Sequence, residues 1–201
     1  KYLHIENSKL WFQRLSFIGE LGWEIYIPIK KTNIIFKKIE KLGKKYNLTY
    51  SGMHALDIMR LEKKFLHWGH DITSENNPFE AGLSFAVSFK KKENFIGRQA
   101  LENLKKFSSN KSLELFSLKN NFKPGNPLIL HDEPIFYNEK IIGYTTSANY
   151  SFCYKKNICL GYIDTNFKNK NNIYLEIACK KYALQLETQP LHDPISKYLR
   201  S

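Results

Sequence analysis

Residues 14–28 read RLSFIGELGWEIYIP, and this stretch decides how the first half of the chain is interpreted. Two apolar-rich runs flank residues 19–22, where glycines permit the positive φ angles of a tight hairpin turn. In the second run the side chains alternate between two faces of a strand, with Trp23, Ile25 and Ile27 on one face and Glu24 and Tyr26 on the other. The pattern therefore predicts a β-hairpin whose second strand carries a carboxylate among aromatic neighbours.

Glu24 is the side chain of this hairpin with the most distinctive chemistry. On a short strand between aromatic neighbours, we expect its carboxylate to be held rigidly and to be partly desolvated. A carboxylate accepts two parallel N–H hydrogen bonds, as from an arginine or the amide edge of a heterocycle. The alternative is an exposed strand glutamate that pairs with a lysine. The pattern alone leaves both interpretations open.

Two helices are predicted after the hairpin. The first begins near Thr32, a potential N-cap, and ends near Gly43, because isoleucines and a leucine recur at helical spacing between them. The second runs roughly over residues 53–64 and has a broad apolar surface, on which Asp57 and Arg60 face one another three residues apart. This alternation of strand, helix, helix and strand is typical of an α+β domain with antiparallel pairing.

The second half of the chain has a different sequence pattern from the first half. The charged stretch at residues 90–94 is the best candidate for a domain boundary, and a short helix is expected over residues 98–107. Short β-rich runs separated by turn signals follow at residues 113–118, 128–130, 134–137, 141–146, 158–163, 173–177 and 183–187. Many short strands at this spacing predict a small barrel or sandwich. With 201 residues and 42% hydrophobic composition, the chain can form a packed core.

The net charge of +12 raises the question of a nucleic-acid partner. Lysine supplies nearly all of this charge, because arginine occurs only at positions 14, 60, 98 and 200. Proteins that read bases and phosphates rely on arginine for bidentate contacts, so we expect no nucleic-acid partner. A dispersed lysine surface also attracts polyanions, but we favour general solubility as its role.

The remaining features of the whole sequence concern the cellular compartment and whether the chain is part of a longer polypeptide. Three cysteines without a Cys-x-x-Cys pair predict neither a disulfide framework nor a cysteine-ligated zinc ion, and suit the cytoplasm or, in a eukaryote, the mitochondrial matrix. We expect no membrane span, because the sequence lacks an apolar run near 18 residues, and we recognise no signal segment. The chain begins at Lys1 with ordinary globular sequence, so we expect it to be a piece of a longer polypeptide.

Short motifs recur in one order along nearly the whole chain. After Arg14 they are GELGWE at 19–24, ALDIMRLE at 55–62, HWGHDIT at 67–73, PFEAGL at 78–83, FIGR at 95–98, GYTTS at 143–147, LGY at 160–162 and PLHDP at 190–194. In this order they resemble the second half of the folate-dependent aminomethyltransferase, or glycine cleavage T-protein, family. The resemblance is strongest to the branch fused to dimethylglycine and sarcosine dehydrogenases.

The resemblance implies a fold and a set of site residues. The fold is an α+β folate-binding domain, present in part over residues 1–92, followed by a small all-β barrel domain over residues 95–201. Glu24 matches the family's glutamate that binds the pterin ring of tetrahydrofolate. A carboxylate can accept hydrogen bonds from both N–H donors of the pterin edge. Folate-binding residues expected beside it are Tyr26, Trp68 and Asp71. The catalytic acid and an aromatic residue that sandwiches the pterin are expected in the missing N-terminal half.

The implied function is one-carbon transfer to folate. The region would capture a methylene group from N-methyl amine oxidation, of dimethylglycine or sarcosine, as 5,10-methylenetetrahydrofolate, with FAD only in an upstream domain. The partners implied are folate, a small amine substrate and the missing N-terminal half. We expect the isolated piece to fold, to bind folate weakly and to have no turnover.

Three alternatives stay open at this point. In the glycine cleavage aminomethyltransferases an arginine contacts folate where this chain has Leu56, and that difference weakens the assignment to their branch. Non-catalytic folate-binding relatives carry a Lys-Gly-Cys-Tyr type of motif, which residues 151–154 do not match. The related sulfoniopropionate demethylases form a third branch.

Several polar residues carry competing interpretations. His67, His70 and Asp71 lie close in sequence, but a zinc site needs three converging ligands and no distant partner stands out, so we expect no metal. Arg60 and Glu62 suit a catalytic site or an internal ion pair that locks the second helix to the sheet, and we favour the ion pair.

The same choice applies to Arg14 and Glu20 across the hairpin. The resemblance places residues 67–73 in a loop beside the pterin pocket, where Asp71 bonds backbone or a basic group. Trp68 would be either a wall of that pocket or a packed core side chain.

Overall fold

The computed structural model describes residues 1–107, 109–120 and 122–200, and its first element is a three-stranded sheet. Strands β1 (Tyr2–Ile5), β2 (Ser8–Gln13) and β3 (Glu24–Tyr26) pair antiparallel in that order. In the second pair Trp11 lies opposite Tyr26 and Gln13 lies opposite Glu24. The predicted strand around Glu24 is therefore present, with Ile25 on the more buried face.

The predicted tight turn is wrong, because β2 already ends at Gln13 and residues 14–23 form a long loop. The loop lies against the end of the second helix rather than against the sheet. Gly19 has a φ of +81°, and a Cβ atom there would lie 2.8 Å from the Lys63 side chain. A side chain at position 19 would therefore not fit between the loop and Lys63.

Two helices follow, close to the predicted positions. Helix α1 (Thr32–Gly43) continues a short 3-10 turn, so Lys31 rather than Thr32 is its N-cap. Helix α2 (Met53–Glu62) ends two residues before the predicted boundary. Among the residues of α1 only Ile35 is buried, and Leu42 on the same stripe is 61% exposed.

The strand predicted after α2 is absent from the described residues. Residues 63–97 form turns, a 3-10 turn at Ser84–Ala86 and a single parallel bridge between Trp68 and Ile72. The Asn77 side chain accepts hydrogen bonds from the backbone N–H groups of Phe79 and Glu80, at 3.0 and 3.1 Å. Such local capping competes with strand pairing and keeps this segment in turns.

The second half is a closed β-barrel, as predicted. After α3 (Arg98–Leu104) come β4 (Lys111–Leu118), β5 (Pro134–Tyr137), β6 (Lys140–Ser151), β7 (Lys156–Asp164), β8 (Ile173–Ile177) and β9 (Lys180–Glu187), and α4 (Lys197–Arg200) ends the described chain. The strands close antiparallel in the order β4-β7-β6-β5-β8-β9. None of the helices in the described ranges is both long and apolar enough to cross a bilayer.

One predicted barrel strand, residues 128–130, is wrong. The segment is held by side-chain hydrogen bonds rather than by a ladder, since the Thr145 hydroxyl donates to the Leu130 carbonyl at 2.8 Å. Leu128 and Leu130 remain 64% and 55% exposed on either side of the buried Ile129. Alternating leucines therefore indicated a strand where no neighbouring strand exists to pair with it.

Helix α2 packs directly on the barrel. Leu61 is fully buried in a cluster with Leu113, Leu115, Ile158 and Leu160 from β4 and β7. The backbone of Glu62 also accepts a hydrogen bond from the N–H of His192 at 3.0 Å. The proposed division at residues 92–95 stays a prediction, and the core on its N-terminal side is continuous with the barrel wall.

Candidate functional site

Strand β3 presents Glu24 and Tyr26 on one exposed face. The Tyr26 hydroxyl donates a hydrogen bond to Glu24 Oε2 at 2.8 Å, and this bond raises the pKa of Tyr26 above its ordinary value. In the described residues the carboxylate therefore pairs with a tyrosine rather than with a lysine. It is also exposed rather than partly desolvated, because β3 is a three-residue edge strand and Trp23 beside it is 55% exposed.

Aromatic rings line the same sheet next to this carboxylate. Tyr26 stacks on Trp11 with ring centroids 4.7 Å apart, and Trp11 stacks on Tyr2 at 6.3 Å. The three rings come from three neighbouring strands and remain 36% to 58% exposed. Together with Glu24 they form an open surface that combines flat apolar faces with one strong acceptor.

Residues 67–72 form a tight turn that carries Trp68. The His67 carbonyl accepts hydrogen bonds from the N–H groups of His70 and Asp71, at 3.2 and 2.9 Å, and Gly69 N–H donates to the Ile72 carbonyl at 2.8 Å. The φ of Gly69 is +85°, a conformation that glycine adopts without steric cost. Trp68 is 66% exposed on this turn, so it is not a core side chain.

Asp71 is buried, and both of its carboxylate oxygens are engaged. Its Oδ2 accepts from Arg60 Nη1 at 2.5 Å and from the His67 N–H at 2.9 Å. Its Oδ1 accepts from the Thr146 hydroxyl at 2.6 Å. The expectation that Asp71 bonds backbone and a nearby basic group is confirmed, while its listing among folate-binding residues stays a prediction.

Arg60 is the basic centre of this network and is only 2% exposed. Besides Asp71, its guanidinium donates to Asp57 Oδ1 at 2.6 and 2.8 Å and to the Ser147 hydroxyl at 2.8 Å. The predicted contact between Asp57 and Arg60 is therefore confirmed. Arg60 does lock α2 in place, but through Asp71 and the barrel residue Ser147 rather than through Glu62.

Glu62 and Glu20 both contact residues that lie far away in the sequence. Glu62 Oε1 accepts from the Ser151 hydroxyl of the barrel at 2.6 Å. Glu20 Oε1 lies 2.6 Å from His192 Nε2, which joins the loop of residues 14–23 to the C-terminal segment. Spacing in the sequence could not indicate these partners, because both lie more than 80 positions away.

The histidines of the turn approach one another without completing a metal site. The rings of His67 and His70 lie 4.5 Å apart. In the part of the chain that the structure describes, no group of three or more His, Cys, Asp or Glu side chains is arranged to hold a metal ion. The three cysteines are free, with Cys159 buried and Cys153 and Cys179 exposed.

A cavity of ≈ 470 Å³ lies between the 14–23 loop and the turn, and no sequence pattern predicted it. Its apolar lining includes Phe17, Leu66, Ile72, Leu83 and Phe85. The exposed site residues thus fall into two groups, Glu24 with Tyr26 and Trp68 on its turn. Among the described residues, no hydrogen bond or ring contact joins the two groups.

The chain matches two family models of one protein class. Residues 1–91 match the GCVT N-terminal domain, and residues 114–193 match the glycine cleavage T-protein C-terminal barrel domain. Together these matches span the sheet, both long helices and nearly all of the barrel.

Individual relatives agree with the models. The chain is 31% identical over 194 residues to the mitochondrial dimethylglycine dehydrogenase of Homo sapiens, which covers 95% of this chain and 22% of that protein. It is 33% identical over 172 residues to an aminomethyltransferase of Thermoanaerobacter sp., covering 86% of this chain and 45% of that protein.

The crystal structure of glycine cleavage system aminomethyltransferase T from Bartonella henselae superposes with a TM-score of 0.80 at 27% identity, over 92% of this chain and 50% of that one. The chain thus spans about a fifth of the dehydrogenase and about half of each aminomethyltransferase.

Proposed function

Because the chain belongs to the glycine cleavage T-protein family, we propose that it forms a tetrahydrofolate-binding region of a one-carbon transfer enzyme. The observation that carries the proposal is the Glu24 carboxylate on β3. It is exposed, placed beside stacked aromatic rings, and fixed in direction by the Tyr26 hydroxyl. A pterin offers a flat ring and an amide edge with two N–H donors, and this surface offers the complement of both.

The residues present fit the ligand in their hydrogen-bonding capacity. A carboxylate has about four lone-pair sites, so the single bond from Tyr26 leaves Glu24 able to accept two more. Tetrahydrofolate, when bound, supplies the amine that receives the one-carbon unit and leaves as 5,10-methylenetetrahydrofolate. Glu24 orients the pterin, and aromatic side chains such as Trp11 and Trp68 exclude water that would otherwise release the carbon as formaldehyde.

For the substrate we propose an N-methyl amine such as dimethylglycine or sarcosine, oxidised by an upstream FAD domain of the same polypeptide. Similarity to dimethylglycine dehydrogenase over 95% of the chain supports this, as does the half-buried Leu56 in place of the arginine expected in the glycine cleavage branch. A glycine cleavage aminomethyltransferase is the second candidate, supported by the superposition on the Bartonella enzyme. A flavin-binding fingerprint upstream in the coding sequence would favour the first candidate, and its absence the second.

The proposal is tested by Glu24→Gln in the protein as it is encoded. Glutamine is nearly isosteric, but it turns one acceptor into an N–H₂ group that faces an N–H donor of the pterin. We expect tetrahydrofolate affinity to fall by about 2–4 kcal/mol in a calorimetric titration, with an unchanged melting curve.

Glu139→Gln is the matched control, because Glu139 is an exposed barrel carboxylate paired with Lys181. This variant should keep wild-type affinity. If Glu24→Gln binds tetrahydrofolate as tightly as the wild type does, Glu24 is an ordinary strand carboxylate and the proposed site is wrong.

A further inference from the structure

Strand β6 contains a β-bulge where it passes the buried Arg60–Asp71 pair. Its pairing with β7 joins Thr145 to Gly161 and then Ser147 to Leu160, so Thr146 is the additional residue. In a regular strand, consecutive side chains point to opposite faces, whereas a bulge re-aims one of them. Here two consecutive hydroxyls reach the same ion pair, Thr146 at Asp71 and Ser147 at Arg60.

The Thr146 hydroxyl is the donor that fills the second oxygen of Asp71. Its acceptor is almost completely buried, and Thr146 itself is 3% exposed, so water does not replace this bond. A buried carboxylate oxygen that accepts no hydrogen bond destabilises the folded protein. A shift of the carboxylate toward another donor reduces this loss of stability. The position of Asp71 therefore depends on a residue of the barrel 75 positions away in the sequence.

Asp71 in turn fixes the turn that presents Trp68. Its carboxylate accepts a hydrogen bond from the His67 N–H, and its own N–H donates to the His67 carbonyl at 2.9 Å, so two hydrogen bonds join the first residue of the turn to Asp71. Trp68 lies within this closed turn and is exposed. A shift of Asp71 would thus move the turn that carries the tryptophan.

We infer that Thr146 is a positioning residue for folate binding: through the bulge of β6 it holds Asp71, and through Asp71 it holds Trp68 against the ligand. This inference rests on the proposed function and extends it to the barrel. The barrel then contributes to the site through the side chains of β6 that bond Asp71 and Arg60.

The test compares Thr146→Val with Thr145→Val in the protein as it is encoded. Both changes replace a buried threonine hydroxyl by a methyl group at adjacent positions. Thr145 bonds the 130–133 segment instead, through the Leu130 carbonyl and the Glu133 N–H. Two quantities are measured, the amide hydrogen exchange of residues 65–73 and the Kd for tetrahydrofolate.

For Thr146→Val we expect exchange over residues 65–73 to accelerate roughly tenfold and the Kd to rise roughly tenfold. Thr146→Ser keeps the hydroxyl and should restore both values. Thr145→Val should lower the melting temperature but leave both values at the wild-type level. If Thr146→Val does not fold, Ser147→Ala is measured in its place. We then expect smaller increases in the exchange rate and in the Kd.

Wild-type exchange over residues 65–73 in Thr146→Val would overturn the inference, as would faster exchange with an unchanged Kd. Equal effects of Thr145→Val and Thr146→Val on the Kd would also overturn it, since a general loss of stability would then explain both. A wild-type protein that does not bind tetrahydrofolate would instead refute the proposed function, and this inference with it. The two failures are therefore distinguishable.

Discussion

Glu24 and Asp71 carry the same functional group in opposite environments. Glu24 is exposed on an edge strand and keeps unused acceptor capacity, whereas the Asp71 oxygens accept three hydrogen bonds inside the protein. Motifs in the sequence assigned both residues to folate binding, because a motif records residue type and order but not burial. Which carboxylate has a free oxygen depends on Arg60 and Thr146, which are distant in the sequence.

A prediction at the scale of single residues concerns the Cys159 thiol. Burial raises its pKa from 9.0 to about 12, because the fold disfavours the thiolate. The neutral thiol thus contributes stability that is complete below pH 9 and is lost as the pH rises toward about 12. At pH 8 we expect iodoacetamide to modify the exposed Cys153 and Cys179 at least about a hundredfold faster than Cys159.

Mass spectrometry of the labelled peptides measures the three rates. A variant in which Cys153 and Cys179 are replaced by serine isolates the third thiol, and its labelling should begin only at urea concentrations that unfold the barrel. Rapid labelling of Cys159 in buffer would contradict the buried environment described for β7.

At the scale of elements, the barrel was more predictable than the sheet. The bounds of β5 and β8 match the prediction to the residue, because dense runs of apolar and aromatic side chains end at clear turn signals. The loop of residues 14–23 was missed because its apolar side chains resemble a strand, while the loop lies against the segment that follows α2. Periodicity indicates that a residue is buried, but it does not indicate which element covers it.

Strands β6 and β7 approach so closely at Gly143 that no side chain fits there. A Cβ atom at this position would lie 1.9 Å from the Tyr162 carbonyl oxygen, which is a backbone atom and cannot rotate away. We therefore expect Gly143→Ala to destabilise the protein by about 3 kcal/mol or more, measured as the free energy of unfolding in urea.

Gly52→Ala is the control for this change. No atom lies within 4 Å of a Cβ atom built at Gly52, and its φ of −93° suits any residue. Its effect should stay within about 1 kcal/mol, the range for a changed helix N-cap. Similar losses in both variants would mean that the close contact between β6 and β7 is relaxed in solution.

At the scale of the whole molecule, the two halves differ in how completely their apolar side chains are buried. The barrel encloses a compact core around Phe116, Ile135 and Leu175, each fully buried. Large apolar side chains of the first half remain exposed, among them Trp23 at 55% and Met53 at 71%. The chain also spans only half of the Bartonella aminomethyltransferase.

We therefore expect the 201-residue chain, expressed alone, to unfold cooperatively but to bind tetrahydrofolate at least about tenfold more weakly than the protein as it is encoded. In the part of the chain that the structure describes, the rings of Tyr2, Trp11 and Tyr26 remain 36% to 58% exposed, so they would cover only one face of a pterin. Thermal denaturation and a calorimetric titration measure the two quantities. Measurable one-carbon transfer by the purified 201 residues would show that the catalytic acid lies within them.

The closure of the barrel has a consequence for self-association. Each of its six strands has two hydrogen-bonded neighbours, so the barrel has no free edge for pairing with another polypeptide. In the described residues, β1 and β3 each have one neighbour and thus keep an open edge. Strand-mediated aggregation of concentrated protein would therefore begin at the first sheet, where the brevity of β3 and the charge of Glu24 oppose it.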